Sequence, residues 1–99
     1  MIKVNVVYEY DYDDVDIISL PDSLADNVDK INFEFGGYIS PDKDDKDYWK
    51  KSTDGKLYSI LETEGLVKWI NRYWVKDGEK AVIEQQNVKY NPAYRTMNF

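Results

Sequence analysis

Apolar residues recur at every second position from the start of the chain: Ile2, Val4, Val6, Tyr8, Tyr10 and Tyr12, with Lys3, Asn5, Glu9, Asp11 and Asp13 between them. That is the period of a strand buried on one face, and Val7 is its one exception. The alternation dissolves at Asp13-Asp14-Val15-Asp16, and a short apolar run, Ile17-Ile18, follows before Leu20-Pro21-Asp22-Ser23. There the period changes. Leu24, Val28, Ile31 and Phe35 fall at i, i+4, i+7 and i+11, the stripe of a helix, with Asp22 or Ser23 placed to cap its first amides. Gly36-Gly37 predicts the stop, through the left-handed conformation open to glycine at a helix end.

Ser40 to Asp47, with Pro41 and four Asp, reads as an exposed, mobile loop. Tyr48-Trp49-Lys50-Lys51 and Lys56 to Leu61 flank Asp54-Gly55, a turn pair suited to a tight hairpin, and predict two short strands. Thr63 is placed to cap a second helix whose Leu66, Trp69, Ile70, Tyr73 and Trp74 share one face, with Lys76-Asp77-Gly78 as its stop. Ala81-Val82-Ile83 opens a last strand toward Tyr90, limited by Pro92, and Ala93 to Phe99 reads as a tail along the surface. The expected order is β-α-β-β-α-β in one domain, residues 1–99. It makes an α+β two-layer sandwich, with two helices on one face of a mainly antiparallel sheet. A ferredoxin-like connection is one wiring and a more irregular strand order is the other.

Charge changes this picture from a generic fold to a surface with a preference. Residues 1–54 carry fourteen Asp and Glu against six Lys, and residues 55–99 carry five against seven Lys and Arg, so −8 stands against +2. Building a fold asks for no such imbalance, and the acidic half points to a basic protein partner. A net charge of −6 argues against direct binding of nucleic acid or anionic lipid, since phosphate is held by Lys and Arg. No apolar run reaches the roughly 20 residues that span a bilayer. The opening Met1-Ile2-Lys3-Val4-Asn5 lacks the basic and apolar regions of a signal peptide, and with no cysteine in the chain a cytoplasmic setting is the expectation.

Candidate chemistry is sparse. With no histidine and no cysteine, Ser-His and Cys-His triads and thiolate metal sites are excluded, and no serine sits in a Gly-x-Ser-x-Gly elbow. Asp42 to Asp47 resembles a calcium loop only in part, because Asp47 takes the place of the sixth-position glycine and Thr53 that of the bidentate Glu. Gly36-Gly37 follows a helix instead of opening one, so no phosphate cradle forms, and neither a cofactor nor a metal is expected. Carboxylate pairs remain, but in polar runs they read as solvated surface rather than as general acids.

Aromatic residues are the other surplus, with nine Tyr, three Trp and three Phe. Tyr10 and Tyr12 run into one acidic stretch and Tyr48 and Trp49 follow the other, so carboxylates surround aromatic anchors in both places. The candidate partner-binding residues are Glu9, Tyr10, Asp11, Tyr12, Asp13, Asp14 and Asp16, together with Asp42, Asp44, Asp45, Asp47, Tyr48 and Trp49. Three segments, Leu20-Pro21-Asp22-Ser23-Leu24-Ala25-Asp26-Asn27, Leu66-Val67-Lys68-Trp69-Ile70-Asn71 and Asn91 to Phe99, resemble a set of small acidic proteins of Gram-positive bacteria, some of them immunity-type partners of toxins. The resemblance implies a partner-blocking role, such as sequestering a nuclease toxin. The alternatives are a phage or mobile-element decoy with carboxylates standing for DNA phosphates, which needs Glu9, Asp11 and Asp13 on one strand face, a small carboxylate enzyme, and an oligomeric scaffold.

Overall fold

The computed structural model describes all 99 residues. Six strands and two helices are formed: β1 (Ile2–Val7), β2 (Val15–Leu20), α1 (Val28–Gly36), β3 (Trp49–Lys51), β4 (Leu57–Ser59), α2 (Thr63–Tyr73), β5 (Val82–Val88) and β6 (Arg95–Asn98). The α+β class and the sandwich are as expected, with two strands, β2 and β6, added to the expected order. The main sheet runs β5-β2-β1-β6, antiparallel except for the β1–β6 pair, and β3–β4 is a separate two-stranded hairpin.

Val4 and Val6 of β1, Ile18 and Leu20 of β2 and Met97 of β6 face the helices, where they meet Ile31 and Phe35 of α1 and Leu66 and Ile70 of α2. All are fully buried. Phe35 joins the layers, with its ring centroid 5.4 Å from Trp69 and 5.5 Å from Phe99. The back of the sheet is covered as well. Residues 89–94, leaving one edge strand for the other, cross it as a strap, and Tyr90 and Tyr94 pack on a second cluster of Val7, Val15 and Ile17. Val7 breaks the alternation of β1 because this side is dry too. The same double cover hides β2 from periodicity, since a strand buried on both faces reads as a short apolar run.

Three asparagines hold these layers in register, each binding both the N–H and the C=O of a single residue, as a neighbouring strand would. Asn5 accepts from Asn91 N–H at 3.0 Å and donates to its carbonyl at 2.8 Å. Asn32 of α1 does the same to Asn98 of β6 (2.8 and 3.1 Å), and Asn71 of α2 to Ala81 ahead of β5 (2.8 and 2.9 Å). Asn5 is completely buried in the middle of β1, and its amide also reaches the Tyr94 and Arg95 carbonyls at 3.3 Å.

Element ends differ from expectation in four places. β1 stops at Val7 rather than running to Tyr12. Helix α1 begins at Val28, after a 3-10 turn over Asp22–Asn27, and neither Asp22 nor Ser23 caps it. The Asp22 carboxylate instead takes the amino terminus at 2.8 Å. Gly37 closes α1 at φ −103 without the left-handed state, its N–H donating to the Glu34 carbonyl and that of Tyr38 to the Phe35 carbonyl. Thr63 is the first residue of α2 and not its cap, because its hydroxyl is used elsewhere. By contrast, Gly55 takes φ +85 at the β3–β4 turn, as Asp54-Gly55 predicts.

Replacing Asn5 with Ala leaves buried backbone groups of the strap unpaired. Asn5→Ala should therefore lower stability by about 2–3 kcal/mol in urea denaturation. A loss below about 0.5 kcal/mol would mean the strap holds without it.

Candidate functional site

The turn after β1 places the first acidic stretch. Asp11 N–H donates to the Tyr8 carbonyl at 3.0 Å, closing a four-residue turn whose central residues, Glu9 and Tyr10, both have positive φ (51° and 60°). Two such residues in succession belong to the primed turns that suit hairpins, normally built from Asn and Gly. A glutamate and a tyrosine there carry strain of about 1–3 kcal/mol each. Glu9 N–H, donating to the Phe99 carbonyl at 2.8 Å, ties the turn to the end of the chain. The result projects Tyr10 outward at 76% exposure, while Tyr12 lies edge-on to Tyr90 at 5.0 Å.

The reversal undoes one expectation. Glu9, Asp11 and Asp13 do not share a strand face, so the regular spacing that a DNA-mimicking decoy needs is missing. Asx contacts shape the loop instead, with Asp13 N–H donating to Asp11 at 3.1 Å. The loop meets the start of α2, where Asp11, Asp14 and Asp16 line a cleft of about 270 Å³ together with Glu62 and Glu64. Those two glutamates carry no motif in the sequence. They stand at the N-terminal end of α2, where the helix dipole favours negative charge, and only the fold brings them opposite a loop near residue 14.

A chain of hydroxyls fixes that meeting. Thr63 donates to the Asp16 carboxylate, so its oxygen is left to accept from the Tyr8 hydroxyl at 2.8 Å. The other Asp16 oxygen accepts from Asn87 N–H at 3.2 Å. Asp16 is therefore half-buried and occupied, whereas Glu9, Asp11, Asp13 and Asp14 are exposed. None of the five forms an ion pair within the chain.

The second acidic stretch is organised differently. Lys68 of α2 binds Asp45 at 2.6 Å and Asp47 at 3.2 Å, which raises its ammonium to about 12, Asp45 acting first. The same bond holds the Asp45 carboxyl below its usual range. Gly65 permits this contact, since a Cβ there would stand 2.6 Å from the Asp47 carbonyl oxygen. Tyr48 is 6% exposed and belongs to the core, and Trp49 is half-buried with its Nε1–H donating to the Ser40 carbonyl at 3.0 Å. Only Asp42 and Asp44 remain fully exposed and without ion pairs. The two acidic stretches thus do not act alike: one gathers further carboxylates, whereas two of the other's four aspartates are held by a lysine from the basic half of the chain.

No family model, curated protein or solved structure matches this chain. No helix is long and apolar enough to cross a membrane, and no three carboxylates converge to hold a metal ion.

Burial pushes the phenols beneath both loops upward. Tyr8 is carried well above the ordinary tyrosine value, with Asp16, Glu64 and Glu62 adding to burial and the Thr63 bond opposing it. Tyr48 is raised by burial from 10.0 to about 12. The folded state therefore keeps the Tyr48 proton more tightly than the unfolded chain. That stability is fully present below pH 10 and is lost as pH rises toward about 12. Tyr48→Phe removes the ionisable group, so its urea midpoint should fall less than the wild type's across that window. An equal fall would show that Tyr48 contributes nothing to alkaline unfolding.

Proposed function

We propose that the chain is a non-catalytic acidic binding protein, an inhibitor of the immunity type that covers a basic effector such as a nuclease toxin. The observation that carries this reading is the strained turn at Glu9–Tyr10, which presents an exposed tyrosine within a group of carboxylates that no lysine or arginine of the chain neutralises. Left-handed backbone at non-glycine residues persists where function uses the geometry it imposes. Unpaired acidic groups on one loop speed encounter with a cationic surface and set its orientation. Tyr10 supplies contact area with few rotors to lose, which slows release.

Glu64 widens the acidic area beyond the loop, with Glu62 beside it paired to Lys50, and Asp11 and Asp14 line the cleft between loop and helix. Such a concavity suits a lysine or arginine side chain of the partner. The fold would serve here as a rigid support, with Thr63 and Asn87 fixing the base of the loop through Asp16. An enzyme working through carboxylates calls for an acid withdrawn from water, whereas Asp11, Asp13 and Asp14 stand in it. The acidic surface is better suited to docking.

Glu9, Asp13 and Asp14 accept no side-chain hydrogen bond within the chain, so neutralising them leaves the loop's internal bonds intact. The test is capture of host proteins on the immobilised chain, read by quantitative mass spectrometry. A strongly basic protein should be enriched at roughly 0.1 M salt and lost at roughly 1 M, where screening shortens to about 3 Å. The triple variant Glu9→Gln, Asp13→Asn, Asp14→Asn should recover it at least about tenfold less, equivalent to about 1.4 kcal/mol. Enrichment of the same protein at both salts, or by the variant as well as the wild type, would end this reading.

A further inference from the structure

Four of the six lysines of the acidic half have a place of their own. Lys43, Lys46, Lys50 and Lys51 line a pocket of about 600 Å³ walled by Trp49 and Leu57, with Asp44 its single carboxylate. The indole is held in position by its bond to Ser40, and the Lys43 ammonium lies 5.6 Å from the ring centre. Leu57 is 41% exposed. Of the four lysines, only Lys50 is engaged in an ion pair, with Glu62 at 2.6 Å. On a chain of net charge −6 this is a local reversal of sign around an aromatic wall. The segment that fits it is acidic and carries an aromatic or apolar group of its own.

The chain itself carries such a segment. Glu9, Asp11, Asp13 and Asp14 surround Tyr10, which is 76% exposed. The acidic cleft and the lysine pocket also share a border, because Glu62 lines the first, Lys50 lines the second and the two are bonded to one another. Patches of opposite sign lying side by side on one body are self-complementary about a two-fold axis: each patch of one copy meets the other patch of its mate. We propose that two copies of this chain associate in this way, with the acidic Tyr10 turn of each seated in the lysine pocket of the other. The contact goes beyond the proposed function and does not rest on it. Since it uses the same turn, a second copy and a basic effector would exclude each other.

Two bodies of like net charge repel at long range, so the contact should be strongest where that repulsion is screened and adjacent charges still attract, at roughly 0.1 M salt. Sedimentation equilibrium of the purified chain should show dimers there that dissociate at roughly 1 M. Lys46→Glu with Lys51→Glu makes both patches acidic, and Asp13→Lys with Asp14→Lys sets two lysines against Glu9 and Asp11, so that the loop loses its net charge. All four residues are exposed, and none forms a side-chain bond in the fold. Each double variant alone should associate at least tenfold more weakly than the wild type. An equimolar mixture of the two should associate more strongly than either variant alone, because the unaltered acidic loop of one again meets the unaltered lysine pocket of the other, although net charges of −10 and −2, derived from −6, still repel. A wild type that stays monomeric at roughly 0.1 M salt overturns the proposal and leaves the pocket to a foreign acidic segment. So does a mixture that fails to associate, or a dimer that survives in both variants alone. Because only the chain itself is present, none of these results bears on effector binding.

Discussion

An uncharged amide in a place without water organises this molecule. Asn5 sits at full burial in the centre of β1, and an amide left unpaired there would cost about 1–3 kcal/mol for each missing bond. Its partners are the backbone groups of the strap, chiefly both polar atoms of Asn91. The strap must therefore cross the back of the sheet at one height, which carries the chain from β5 at one edge to β6 at the other. From that crossing follow the parallel pairing of β6 with β1, the burial of Met97, and the placing of Phe99 against Phe35 and Tyr8.

The end of the chain in turn supports the exposed turn. Phe99 and Asn98 face the Glu9–Tyr10 backbone, with Glu9 N–H on the Phe99 carbonyl, so a conformation unfavourable in isolation is held from outside. The other side is held by Asp16, Thr63 and Tyr8, a chain of bonds that fastens α2 to the start of β2. Two long-range contacts thus fix a short loop, and the carboxylates on it are free to face solvent because polar groups behind them meet the loop's own bonding needs.

Charge follows the same division. The chain's imbalance between its halves is partly cancelled in space, since Lys68 from the basic half neutralises Asp45 and Asp47, and Arg95 stands 3.4 Å from Asp29. What is left is a surface with an acidic region at the Tyr8–Asp16 loop and a lysine-lined pocket beside it. Their border is one ion pair, Lys50–Glu62. A count of charges by halves hides both patches, because the acidic region gains glutamates from the basic half and the lysines of the pocket lie within residues 43–51 of the acidic one.

Local pattern was enough for the elements whose information is local. The stripe of α2, the Asp54-Gly55 turn between β3 and β4, the apolar faces of β1 and α1 and the α+β class all follow from spacings of a few residues, where side-chain period and backbone geometry are directly linked. The acidic loop beside Tyr10 was legible as composition. Its shape was not: Tyr8, Tyr10 and Tyr12 continue the period of β1, yet Glu9 and Tyr10 turn the chain back, held by Phe99 from the far end of the sequence. β2 lacks alternation because water is absent from both its sides, and β6 is a strand only because β1 offers it an edge. Glu62 and Glu64 joined the acidic surface, and Tyr48 left it, through packing alone. These were decided by contacts between residues distant in the chain, whose free energy exists only once the layers have closed, and so no short window of residues contains them.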